Sequence, residues 1–164
     1  MRRPLLALVL IAGLTPAIAH AAEPAAYVVA VEVVRDGKAT EASVEVPPGG
    51  SGSAQTERRI PYATALASAD PDEIPQVATV VVGNSFTVTP SERAGGLDIS
   101  ADIRLSRLSG MRRVESGGRA VDLPDVETVD IALRDAAMRP EDGAWIYEGD
   151  DALTGARLRI VARR

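Results

Sequence analysis

Hydrophobic and polar residues alternate along much of this chain, and the alternation has a period of two. It is clearest from Leu97 to Leu108, where Ile99, Ala101, Ile103 and Leu105 share one side and Asp98, Ser100, Asp102, Arg104 and Ser106 the other. Successive side chains of an extended chain point to opposite faces, so the pattern predicts a strand with one buried face. Residues 26–34 form an apolar, β-branched run that predicts a second strand. Arg35-Asp36-Gly37-Lys38 then supplies a hairpin turn, because Asp-Gly tolerates positive φ. The return strand, 39–46, ends at Pro47-Pro48-Gly49-Gly50-Ser51-Gly52-Ser53, a loop that is flexible by composition.

The same reading continues to the end of the chain. Strands are expected at 54–62, 77–82 and 85–89, the last two joined through Gly83-Asn84 as a bulge or a tight turn. Residues 63–76 are the least regular: Pro71 and Pro75 break the segment, Asp70, Asp72 and Glu73 keep it solvated, and a helical turn fits only at 63–69. A hairpin is expected over 111–123 around Ser116-Gly117-Gly118. Pro124 then begins a strand carrying Val126, Thr128, Val129, Ile131 and Leu133, and 144–147 is a short strand before a Glu148-Gly149-Asp150-Asp151 turn. Residues 156–162 close the pattern, with Leu158 and Ile160 inward and Arg157 and Arg159 outward. Roughly nine short strands with Gly and Pro punctuation predict an all-β domain, a single antiparallel β-sandwich or barrel-like sheet. Val, Ile, Leu and Ala supply its core, with Phe86 and Trp145 as rare large fillers.

The N-terminus changes the picture. Arg2 and Arg3 precede the apolar run 5–14, and Ala19-His20-Ala21 offers a small-x-small cleavage site, the three parts of a secretory signal. Residues 1–21 are therefore expected to be a signal peptide and 22–164 one exported, periplasmic domain. With no Cys at the cleavage point a lipoprotein anchor is not expected. With no later apolar run near 18 residues, neither is a transmembrane helix.

Charge and composition then exclude chemistry. The chain carries 18 Lys and Arg against 23 Asp and Glu, a net charge of −5. Loss of Arg2 and Arg3 would make it more negative still, which disfavours nucleic acid and anionic membrane surfaces. There is no Cys, and the one His is His20, in the expected signal. Ser-His-Asp and Cys-His nucleophiles, typical zinc and copper sites and histidine pH sensing are thereby excluded from the exported part.

The remaining candidates read as structure. Glu148, Asp150 and Asp151 could offer oxygens to Ca2+, yet their spacing fits no known calcium loop and a solvated turn accounts for them. Asp98 and Asp102 share a strand face about 13 Å apart, too far for paired glycosidase carboxylates. The glycine-rich loop at 47–53 has no Lys and no following helix, so it is a poor phosphate cradle. Arg112-Arg113 could meet an acidic partner, and reads equally as an exposed strand end. No catalytic, cofactor-binding or metal-binding residue is expected.

Several segments, taken in order, resemble the C-terminal β-domain of secretins, the ring-forming outer-membrane gates of type II and type III secretion and type IV pilus systems. The resemblance rests on Val82-Gly83 leading through Phe86 and Val88 to Thr89-Pro90, then Gly95-Gly96-Leu97-Asp98-Ile99 running on to Leu105-Ser106. Leu123-Pro124 followed by Val126, Thr128 and Val129, and Ile60-Pro61-Tyr62 upstream, extend it. The chain departs from the family in lacking the N-domains that precede this region, in Tyr147-Glu148-Gly149-Asp150 where Gly-Gly-Leu is usual, and in ending at Arg163-Arg164. The resemblance implies a solitary, non-enzymatic module of secretion or pilus assembly, with envelope proteins or further copies of itself as partners. Outer-membrane association by strands is compatible with it, although only five aromatic residues are available for interfacial girdles. The competing expectation is a free-standing periplasmic β-sandwich that binds a ligand or inhibits a protein through loops 47–53 and 63–76. A carboxylate-dependent hydrolase would require two carboxyls facing each other in a cleft.

Overall fold

The computed structural model describes residues 25–63, 76–116 and 119–164. They form eight antiparallel strands and no helix: β1 (Tyr27–Arg35), β2 (Lys38–Val46), β3 (Gly52–Ala63), β4 (Val77–Arg93), β5 (Gly96–Ser116), β6 (Arg119–Glu141), β7 (Ala144–Asp151) and β8 (Ala156–Arg163). The expected signal peptide, the helical turn at 63–69 beyond Ala63, and the Gly117-Gly118 tip lie outside the described residues.

The all-β expectation holds, with fewer and longer strands than the sequence pattern implied. Gly83-Asn84 neither bulges nor turns. Both residues continue β4, opposite Glu57 and Thr56. The hairpin at 111–123 exists, with Ser116 opposite Arg119, but its two sides are the ends of β5 and β6, so Pro124 lies inside β6 rather than starting it. Glu148–Asp151 belongs to β7, and the turn follows it, closed by Gly155 N–H donating to Asp151 C=O at 2.8 Å.

The strand order is β2-β1-β8-β7-β6-β5-β4-β3. Each strand therefore pairs with its sequence neighbours, except that β2 and β3 share no ladder and β8 joins β1. The result is an up-and-down barrel with one open seam. At one end of that seam the strands nearly touch: a Cβ on Gly52 would lie 2.4 Å from Val44 Cγ1 and 2.6 Å from the Glu45 carbonyl, so only glycine fits there. The β6–β7 junction is also slight, with only Arg139–Glu141 paired to Ala144–Ile146. The barrel is thereby flattened towards two four-stranded layers.

Tight turns impose the registers. Arg35 and Lys38 pair across Asp36 (φ 50°) and Gly37 (φ 71°), and Glu141 and Ala144 pair across Asp142 (φ 47°) and Gly143 (φ 76°). Two successive positive φ values match the right-handed twist of a two-residue hairpin. The four strand prolines, Pro61, Pro90, Pro124 and Pro140, each sit where the strand has a neighbour on one side only, so no ladder loses a needed N–H.

The core follows the period of two. Tyr27, Val29, Val31 and Val33 of β1 meet Leu158, Ile160 and Ala162 of β8 on one layer. Phe86, Val88, Leu97, Ile99, Ile103 and Ile131 face them from the other. Val29, Ile99 and Ile160 are fully buried, and no polar residue lies in the core among the described residues. Burying each large aliphatic side chain is worth about 1.5–3 kcal/mol. That contribution must hold the fold, because the chain has no Cys to form disulfides.

Two bulges break the long β5–β6 ladder. Between Ile99 and Ala101 the partner strand gains a residue, and Asp135 takes φ 44°. The Ser100 hydroxyl donates to Asp135 Oδ1 at 3.1 Å and accepts from Asp135 N–H at 3.0 Å, fixing the left-handed residue. The second bulge inserts Ser109, whose hydroxyl donates to the Asp125 carbonyl at 2.8 Å.

Candidate functional site

The acidic positions singled out by sequence are ion-paired and dispersed. Glu148 meets Arg139 at 3.0 Å and Arg159 at 3.1 Å, and Asp150 meets Arg157 at 3.6 Å. Asp151 caps its own turn by accepting from the Thr154 N–H and hydroxyl. Asp98 lies 3.1 Å from Arg93, and Asp102 lies 2.5 Å from Arg134, so neither carboxylate faces the other. Asp70, Asp72 and Glu73 lie outside the described residues. Among those residues no three carboxylates converge as a metal site would need. Arg112 and Arg113 are exposed on the distal part of β5, opposite Leu123 and Asp122.

What the fold brings together lies at one end of the barrel. β4 and β5 pair from Arg93–Gly96 as far as Asn84–Leu105 and then separate. Beyond that point β4 stays with β3, and β5 stays with β6, so two hairpin arms project from a fork. Arg58 and Arg59 of the first arm, and Met111, Arg112 and Arg113 of the second, are exposed. At the fork the Ser106 hydroxyl accepts from Gly83 N–H at 2.9 Å and donates to Gly83 C=O at 3.0 Å. A side chain thus takes both backbone groups that the next ladder pair would have used. Gly83 is obligatory, since a Cβ there would lie 1.9 Å from the Thr56 carbonyl oxygen.

The inner edges of both arms carry unpaired backbone, on β4 from Val77 to Val82 and on β5 beyond Ser106. Val77 and Val81 are 64% and 49% exposed, which leaves a β-branched edge open to solvent. Such edges are templates for another strand.

Below the fork lies a cavity of about 630 Å³, bounded by all of β1 to β6. Thr40 of β2 and Arg58 of β3, on the two sides of the β2–β3 seam, both line it. Its walls include Val33, Val82, Leu105 and Val129; its rim is charged. Glu127 binds Arg35 and Arg107, each at 2.7 Å, and Arg107 reaches Asp36 at 3.6 Å. The network ties the β1–β2 turn to the root of the second arm. Hydrogen bonds from Arg107 and then Arg35 hold the Glu127 carboxyl below its ordinary range, and the same bond pushes the Arg107 guanidinium up.

A second clamp lies elsewhere on the barrel. Glu92 accepts from the Tyr27 hydroxyl at 3.0 Å and from Arg164, whose guanidinium also lies 4.8 Å from the Tyr27 ring centre. These bonds, Arg164 first, lower the Glu92 carboxyl, while burial and then the Glu92 bond raise the Tyr27 phenol.

The glycine-rich loop takes no part in the cavity. It turns back through Gly50 N–H donating to Pro47 C=O at 3.0 Å, and Ser51 meets Thr89 at 2.8 Å. Sequence reasoning found no signal for the cavity, because its wall comes from six strands and its rim pairs join residues as distant as Arg35 and Glu127. No protein family, curated protein or solved structure matches this chain. Among the described residues no helix is long and apolar enough to cross a membrane, which says nothing of strands.

Proposed function

We propose that this protein is a non-enzymatic assembly module of the cell envelope that acts by strand addition, as its resemblance to the secretin β-domain implies. The observation that supports the reading is the fork. Two hairpin arms leave the barrel with unpaired inner edges, and Ser106 stops them from zipping together. An added strand, from a further copy or from a secretion component, would supply the missing ladder bonds at Val77–Val82. The arm edges combine open backbone with exposed β-branched side chains, Val77 and Val81.

Size-exclusion chromatography with light scattering, with and without detergent, tests the proposal. The expected result is a ring or other high-order assembly, or co-purification with an envelope complex. Val81→Lys, a charge on the exposed edge, reduces that association without unfolding the barrel. A monodisperse monomer with no envelope partner overturns the proposal.

A further inference from the structure

The cavity below the fork combines two properties that together select a ligand. Its depth is hydrocarbon: Val33, Val82 and Val129 are buried core residues whose side chains also wall the space, and Leu105 joins them. Its rim is cationic, with Arg35, Lys38, Arg58 and Arg107 against Glu57 and Glu127, on a protein whose net charge is −5. The two sets of rim charges are not equivalent. Arg35 and Arg107 are spent on Glu127 and Asp36. Glu57 accepts from Gln55 at 2.6 Å. The side chains of Lys38 and Arg58, from the two strands that flank the seam, have no hydrogen-bond or ion-pair partner among the described residues.

We propose that this cavity binds one long-chain anionic amphiphile, with the head group between Lys38 and Arg58 and the tail against Val33, Val82, Leu105 and Val129. A charge-assisted bond to a cation is about twice as strong as a neutral one, and apolar walls reward hydrocarbon rather than a polar solute. The volume of about 630 Å³ falls in the usual range of roughly 300–1,000 Å³ for small-molecule sites. Thr40 and Arg58 line the cavity from β2 and β3, and with no ladder between those strands no backbone hydrogen bonds need break for the acyl chain to enter there. Val82 and Arg58 belong to the arms, but Val81, the edge position whose charge blocks assembly, does not line the cavity, so the Val81→Lys protein would still bind.

The test is fluorescence titration of the purified protein with cis-parinarate, followed by displacement with oleate, oleyl alcohol or acetate. A parallel arm follows release of labelled phosphatidylglycerol from vesicles. Saturable uptake displaced by oleate, and not by acetate, supports the site and makes a free acid its ligand. Extraction of the phospholipid that excess oleate blocks supports it with a bilayer source. The double variant Lys38→Gln with Arg58→Gln, both surface positions, weakens oleate about tenfold and leaves oleyl alcohol unchanged. Ile60 also lines the cavity, and Ile60→Trp, checked for fold by circular dichroism, blocks both ligands. Absence of saturable uptake in both arms overturns the proposal, as does a double variant that binds oleate as tightly as the parent.

Discussion

The Ser106 hydroxyl bonds both backbone groups of Gly83, 2.9 Å from its nitrogen and 3.0 Å from its oxygen, where the β4–β5 ladder ends. A single side chain therefore acts as the stop between barrel and arms. Ser106→Ala removes both bonds and leaves the Gly83 groups to water or to a new strand. We expect a loss of about 1–2 kcal/mol in urea unfolding and an increase in light-scattering mass. Unchanged stability together with unchanged mass would show that the hydroxyl is not the stop.

Gly83 itself tolerates no side chain. Gly83→Ala places a Cβ against the Thr56 carbonyl, a backbone atom that cannot swing aside, so β3 and β4 must separate locally. The expected cost is about 1–3 kcal/mol, as for overpacking generally. A thermal melt comparing this variant with Gly110→Ala, whose Cβ would meet nothing within 4 Å, isolates the effect.

The bulge at Asp135 predicts an order of variants. Its φ of 44° is open to glycine, awkward for alanine and worst for a β-branched residue. Asp135→Gly should lose the Ser100 bond to its side chain while keeping the backbone relaxed, Asp135→Ala should lose both, and Asp135→Val should be the least stable. Urea midpoints ranked Gly, Ala, Val from highest to lowest are the expected outcome; any other order argues against backbone strain.

Acid should loosen the rim and the Tyr27 clamp together. Glu127 and Glu92 sit below their ordinary value of 4.5 in the folded protein, held there chiefly by Arg107 and Arg164 respectively. A depressed carboxyl contributes stability that is present above its unfolded pKa and lost as pH falls through the lower folded one. Stability should therefore fall below about pH 4.5, and Glu127→Gln should flatten part of that fall. The measurement is the urea midpoint against pH for both proteins. Tyr27 has the opposite sign: its phenol is raised above 10.0, so its contribution is kept below that pH and lost above it.

Much of this fold was legible because one rule, the period of two, governs almost every strand. The buried set Ile99, Ala101 and Ile103 follows from it directly, and the Asp36-Gly37 turn from the positive φ that this pair tolerates. The strand at 85–89 was separated from 77–82 because glycine usually punctuates. Here Gly83 marks a close approach of β3, which no local signal distinguishes from a turn. Asp142-Gly143 carried the same Asp-Gly signal as Asp36-Gly37 and identifies the β6–β7 hairpin, a turn the strand pattern passed over. Pro124 read as a strand start because proline resists central ladders, and its edge position could not be known before the pairing was. The cavity was illegible for a different reason. Its rim pairs Arg35 with Glu127 and its stop pairs Gly83 with Ser106, contacts decided by the barrel's closure and not by neighbours in sequence.

That closure runs through β8, which lies between β7 and β1. All other ladders join segments made one after the other, so six hairpins can zip as the polypeptide lengthens, each with little loop entropy to overcome. The first hairpin, β1–β2, has no partner on β1's other side until Ala156–Arg163 arrives. A chain cut before Ala156 would hold most of its hairpins and yet no sealed interior, and so would be an easy substrate for proteases.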